Sequence, residues 1–80
     1  MPTSTLHKKE NELLTTMMRE MRISAGLTQA ECAMALAKPQ SFVSKVEGGN
    51  QRIDLIQLRE YCNVCGTSLT NFVKRFEARV

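Results

Sequence analysis

No run of apolar residues in this sequence approaches the roughly eighteen needed to span a membrane as a helix. The opening segment, Met1 to Lys9, is polar and lacks the apolar core of a signal peptide. Together these absences lead us to expect a cytoplasmic protein with no membrane partner. Cysteine is scarce and odd in number, three residues in 80, without the surroundings of a secreted disulfide framework. Histidine occurs once, as His7, with no carboxylate or cysteine motif converging on it. Cys62 and Cys65 stand three apart, where two thiols on a helix can chelate a metal or cycle to a disulfide. A structural zinc needs four ligands, however, and only Cys32 and His7 remain, far away in the chain. A thioredoxin-like pair would open a helix after a strand, and the sequence has no strand pattern. The cysteines are therefore expected in the core, and no metal or other cofactor is expected. The glycines form no phosphate-cradling loop, and the acidic residues no paired-carboxylate site. Ser44 and Lys45 are adjacent and so diverge on a helix, and nothing else resembles a nucleophile with its base. An enzyme is not expected.

What the sequence does contain is concentrated between residues 28 and 47, TQAECAMALAKPQSFVSKVE. Thr28 with Glu31 is a capping box that starts a helix. Ala30, Ala33, Leu36 and Ala37 recur at helical spacing and give it a small apolar face. Pro39 disfavours a helical Lys38, so this helix should end near Ala37. Val43 and Val46, with Phe42 beside them, then define a second helix from Gln40 to Glu47, stopped by Gly48 and Gly49. Its outer face carries Gln40, Ser41, Ser44 and Lys45, nearly all hydrogen-bond donors. Two short helices meeting at a tight turn, the second polar and basic outside, make a helix-turn-helix suited to a major groove. An ordinary helical hairpin whose polar face meets water fits the same pattern.

The stretch resembles the DNA-binding domain of the Cro and phage-repressor family, often called Xre. The resemblance rests on Arg22, on Gly26-Leu27-Thr28-Gln29-Ala30-Glu31, on Pro39-Gln40-Ser41-Phe42-Val43-Ser44-Lys45-Val46-Glu47, and on Arg52, Asp54, Leu58 and Gly66. It covers about residues 13 to 74. Ala37 departs from it, standing where the family usually has glycine at the turn, and Cys32 and Cys65 stand where leucine is usual. The resemblance implies an all-α, five-helix, lambda-repressor-like domain that binds double-stranded DNA. It also implies that Arg22 pairs with Glu47 and so ties the first helix to the recognition helix. Gln40, Ser41 and Ser44 are the expected base readers, since glutamine suits adenine and serine several bases, and Lys45 joins them by reading guanine or else touches a phosphate. Gln29, Lys38, Asn50 and Arg52 are the expected contacts to the DNA backbone.

Around this centre, residues 1 to 6 are expected to form a flexible tail, with Ser4 or Thr5 capping a helix from about His7 to Ser24. Leu13, Leu14, Met17, Met18 and Met21 face inward on that helix, and Gly26 ends it. Asp54 and Gln57 cap a fourth helix with Leu55, Leu58, Tyr61, Cys62 and Cys65 inward. Ser68 caps a fifth from Leu69 to about Arg79, with Leu69, Phe72, Val73 and Phe76 as its apolar side. Residues 7 to 80 are thus expected to form one domain with a small core, without a separate ligand-sensing or self-cleaving domain. Eleven Lys and Arg against eight Asp and Glu give a net charge of +3, which permits attraction to a polyanion without establishing it.

One short recognition helix reads only three or four bases, too few to find a site in a genome. A homodimer on an inverted repeat is therefore expected, stable by itself or formed on DNA. Phe76 and Val80 in the last helix are candidate contacts, because related small repressors commonly meet there; Phe76 can equally complete the monomer's own core. The expected role is a small transcriptional regulator, as a repressor. The alternative is an antitoxin-like or adaptor protein that uses the same fold chiefly to bind another protein.

Overall fold

Thr28, Asp54 and Ser68 each open a helix by giving an oxygen to an otherwise unpaired amide. Thr28 Oγ1 accepts from the Glu31 amide at 3.0 Å, and Glu31 Oε1 accepts from the Thr28 amide at 2.9 Å. Asp54 and Gln57 exchange the same pair of bonds at 2.7 and 3.1 Å, and Ser68 Oγ accepts from the Asn71 amide at 3.1 Å. Each such cap contributes about 1 kcal/mol. The computed structural model describes residues 3–80, with side chains from His7 onward. The helices are α1 (Thr3–Ser24), α2 (Gln29–Ala35), α3 (Gln40–Glu47), α4 (Leu55–Val64) and α5 (Leu69–Arg79), with no strand among the described residues.

The helix ends share a second device. After α1, α2, α3 and α4 the chain closes a Schellman turn, in which two successive amides return to carbonyls of the last helical turn. The bonds are Gly26 N to Ile23 O and Leu27 N to Arg22 O after α1, and Ala37 N to Met34 O and Lys38 N to Ala33 O after α2. They recur as Gly49 N to Val46 O with Asn50 N to Lys45 O, and as Gly66 N to Asn63 O with Thr67 N to Cys62 O. The left-handed residue of this turn is Gly26, Gly49 or Gly66 in three cases and Ala37, at φ 56°, in the fourth. The turn sets α2's end: Leu36 is the cap and Ala37 already lies outside, so the helix stops at Ala35, slightly before the expected end around Ala37.

At the other end of the chain α1 begins at Thr3, before the expected start near His7, because no proline or glycine interrupts the backbone between them. The described part of the expected tail, Thr3 to Leu6, is thus helical. Met1 and Pro2, and the cap expected from the side chain of Ser4 or Thr5, lie outside the described residues.

Helix α1 packs on α3 and α5, α2 on α3 and α4, and α4 on α5. Between them lies one core of Met17, Met18, Cys32, Ala33, Phe42, Val43, Val46, Leu58, Tyr61, Cys62 and Phe72. All five helices supply it, which fixes α3 against a rigid support. Four residues expected to face inward do not. Ala30 and Ala37 are exposed because only one side of the short α2, Cys32 and Ala33, reaches the core. Leu55 and Val73 are 63% and 41% exposed, since no neighbouring helix covers the first turn of α4 or that side of α5. None of the described helices is long and apolar enough to cross a membrane.

Candidate nucleic-acid interface

Helix α3 has two chemically opposite sides. Phe42, Val43 and Val46 are buried, while Gln40, Ser41, Ser44 and Lys45 are all exposed on one short helix. The connection from α2 holds this helix at its angle through the Schellman turn at Leu36–Lys38 and then Pro39, whose extended backbone (φ −64°, ψ 152°) is the cap of α3. Lys38, in this connection, places its ammonium 5.4 Å from the centroid of the Phe42 ring, so a cation stands beside the start of α3. On the far side of α3, Asn50 and Arg52 are exposed in the loop that leads to α4. Of the two glycines that open this loop only Gly49 is left-handed. Gly48 is helical, and a Cβ there would lie 3.1 Å from the Ser44 carbonyl.

Behind the exposed row, Glu47 anchors the end of α3. Arg22 grips it with a two-pronged contact, Nε to Oε2 at 2.7 Å and Nη2 to Oε1 at 3.0 Å, and its third nitrogen, Nη1, donates to the Leu27 carbonyl at 2.8 Å. Gln29 Nε2 donates to Oε1 at 3.2 Å and the Tyr61 hydroxyl donates to Oε2. One carboxylate thereby joins α1, α2, α3 and α4. The pair is largely buried, with the Arg22 and Glu47 side chains 9% and 3% exposed, yet no buried side-chain nitrogen or oxygen among the described residues lacks a partner. Burial alone would raise the Glu47 pKa, but the bonds from Arg22, Tyr61 and Gln29 outweigh it and hold the carboxyl below its usual range. The bond to Glu47 likewise raises Arg22 against the effect of burial. Burial first, and then the bond to Glu47, raise the Tyr61 phenol far beyond physiological pH, so it remains a donor.

Sequence reasoning did not place Tyr61 or Arg19 in this region and did not foresee the bond from Gln29 to Glu47. Tyr61 is expected only as an inward residue of the fourth helix; the signal for its role is that a buried phenol needs a partner for its hydroxyl. Gln29, expected at the DNA backbone, directs its amide nitrogen to Glu47 and is half-buried. Arg19 lies one turn before Arg22 on α1 and, with Gln29, Ser44, Glu47 and Gly48, lines an open depression of about 380 Å³ beside α3. Its i, i+3 spacing from Arg22 was the available signal.

Cys32 and Cys62 are fully buried and Cys65 half-buried, all as free thiols. Burial raises all three, Cys65 to about 12, so they are protonated core side chains at neutral pH. Phe76 is half-buried against the core, whereas Val80 is 62% exposed.

Residues 13–72 match a protein-family model described as a helix-turn-helix domain. Among solved structures, the chain is similar to an XRE-family like protein from Pseudomonas syringae pv. tomato str. DC3000. The two are 37% identical, with 98% of this chain and 95% of that one covered and a TM-score of 0.89. Two structures of the clp gene regulator ClgR from Corynebacterium glutamicum share the fold at 23% identity. Their TM-scores are 0.77 and 0.76, covering 88% and 86% of this chain and 74% and 88% of theirs. No curated protein matches the sequence. Family model and structural relative agree over most of the chain, and on them the chain belongs to the XRE family of helix-turn-helix proteins.

Proposed function

We propose that this protein is a transcriptional regulator that binds a short inverted-repeat DNA sequence as a homodimer and acts in the cytoplasm as a repressor. The observation that carries the reading is the exposed row Gln40, Ser41, Ser44 and Lys45 on a helix whose other side is locked into the core. These side chains read base edges in the major groove, glutamine toward adenine N6 and N7, serine toward several bases, and lysine toward guanine or a phosphate. Lys38, Asn50 and Arg52, exposed at either end of α3, hold the DNA backbone, and Gln29 joins them through the part of its amide not engaged by Glu47. Membership of the XRE family, and the role of ClgR, a protein of the same fold, as the clp gene regulator, support this assignment.

Selection of bound duplexes from a randomised library tests it. The expected product is one enriched sequence with two-fold symmetry, its half-sites about 34 Å apart. Absence of any enriched sequence would remove the specific-regulator reading. It would favour the adaptor alternative, in which another protein is the chief partner.

A further inference from the structure

We propose that the groove between α1 and α5 is a binding site for a small aromatic carboxylate. The inference goes beyond the DNA-binding reading, and no residue of α3 lines the groove. Met17, Glu20, Met21 and Ser24 line it from α1, at the spacing of one helical side. Phe72, Arg75 and Arg79 line it from α5 in the same way, and Cys65 and Thr67, just after α4, close its end. Together they bound a space of about 380 Å³ that opens to solvent past the exposed Ser24, Ala25 and Gly66.

Three observations name the class of ligand. The first is size. The volume lies at the small end of the range that small-molecule sites occupy, with room for about a dozen non-hydrogen atoms, which suits a metabolite and excludes a helix of another protein. The second is the floor. Met17 and Phe72 are buried there and Met21 and Cys65 half-buried, so three of the four floor side chains carry sulfur. Thioether and thiol sulfur attract the edge of an aromatic ring, and Phe72 adds a ring of its own, so an aromatic ligand gains more here than an aliphatic one of equal size. The third is charge. Arg79 Nη1 pairs with Glu20 Oε1 at 3.0 Å and so ties α5 to α1 across the groove. Arg75, one turn before Arg79, forms no ion pair among the described residues, which leaves the groove one uncompensated cation. A guanidinium in this position offers a carboxylate two parallel hydrogen bonds. The ring therefore lies on the sulfur-rich floor and the carboxylate meets Arg75 at the rim.

The test titrates the full chain with 3-phenylpropanoate, a probe of this size, and follows the amide NMR shifts. It needs no DNA, so its outcome is independent of the DNA-binding reading. Saturable shifts centred on residues 20–25, 65–67 and 72–79 are expected, with a Kd of about 1 mM or tighter. Arg75→Gln, a change at an exposed position, should weaken binding about fivefold, and the uncharged 3-phenylpropanamide should bind the unchanged protein about fivefold more weakly. Octanoate, which keeps the carboxylate and lacks the ring, should bind about threefold more weakly. Cys65 supplies a second readout, because Cys32 and Cys62 are fully buried and Cys65 is the thiol within reach of a reagent. Saturation with 3-phenylpropanoate should slow its alkylation by iodoacetamide about fivefold. No saturable shift up to about 10 mM, shifts centred on α3, or an unprotected Cys65 would overturn the proposal. So would undiminished affinity in Arg75→Gln, or equal affinity for the amide or for octanoate.

Discussion

Glu47 sits where four donor groups meet, and its environment turns single residues into measurable quantities. Tyr61→Phe removes one donor from a buried carboxylate and leaves the rest in place, so a loss of about 2 kcal/mol in urea unfolding is expected. Arg22→Ala removes the cation paired with the buried carboxylate and leaves it the neutral donors Gln29 and Tyr61, and should cost about 3–5 kcal/mol. The Arg22→Ala, Glu47→Ala double variant should cost less than the sum of the single changes, with a coupling above about 0.5 kcal/mol. Additive losses would refute the pair's energetic role. The same site sets an acid limit. Glu47 binds a proton less readily in the folded chain than in the unfolded one, so acid favours unfolding. Its contribution is complete above the unfolded carboxylate range, about pH 4–5, and is lost as pH falls through the lower native value. Glu47→Gln should flatten this acid limb of the stability profile. Ala37 works in the other direction: at φ 56° it carries a strain of about 1–2 kcal/mol that the glycines of the other three Schellman turns avoid. Ala37→Gly should therefore stabilise the fold by up to about 1 kcal/mol after the entropy of the added glycine. A lower midpoint in thermal unfolding would show that α2 needs the alanine.

Among the elements, those with a side-chain signal at the start were legible. Thr28 with Glu31, Asp54 with Gln57, and Ser68 form the caps that local spacing predicts, because a cap involves residues only three apart. Pro39 and the glycines after Glu47 likewise bracket α3 at Gln40 and Glu47. The end of α2 was legible only approximately, since Pro39 bars helix at Lys38 without fixing the last residue and the left-handed turn falls on an alanine. Helical period told which residues share a side but not how far a neighbour extends over it, which is why Leu55 is exposed while Leu58, one turn later, is buried. Contacts between distant residues, such as Tyr61 with Glu47 and Gln29 with Glu47, depend on how the elements dock and left no local trace. The division of work at the DNA face belongs to this scale too. Gln40→Ala or Ser44→Ala should lose about 1–3 kcal/mol of discrimination at one base position, while Arg52→Ala should weaken all duplexes nearly equally. Titrations against cognate and singly substituted duplexes at fixed salt separate the two, and equal losses everywhere for Gln40→Ala would remove it from base reading.

For the molecule as a whole, charge and symmetry combine into a quantity that counts copies. A net charge of +3 is too small to account for binding as a diffuse attraction, so the proposed function draws its affinity from cations placed at phosphates, with exposed Lys38 and Arg52 as the proposed contacts. Each phosphate neutralised releases counterion, and the slope of log affinity against log salt steepens by about 0.9 for every such contact on duplex DNA. Arg52→Ala removes one contact per bound chain. On a duplex with a single half-site the slope should become shallower by about 0.9, and on the inverted repeat by about 1.8, because two chains each lose one contact. Gln40→Ala, which changes no charge, should leave both slopes where they were while reducing affinity for the cognate sequence. Titration of the three proteins across a range of salt on both duplexes gives the comparison. Equal changes on the two duplexes would mean that only one Arg52 ever touches DNA, and the paired reading of an inverted repeat would then have to be given up.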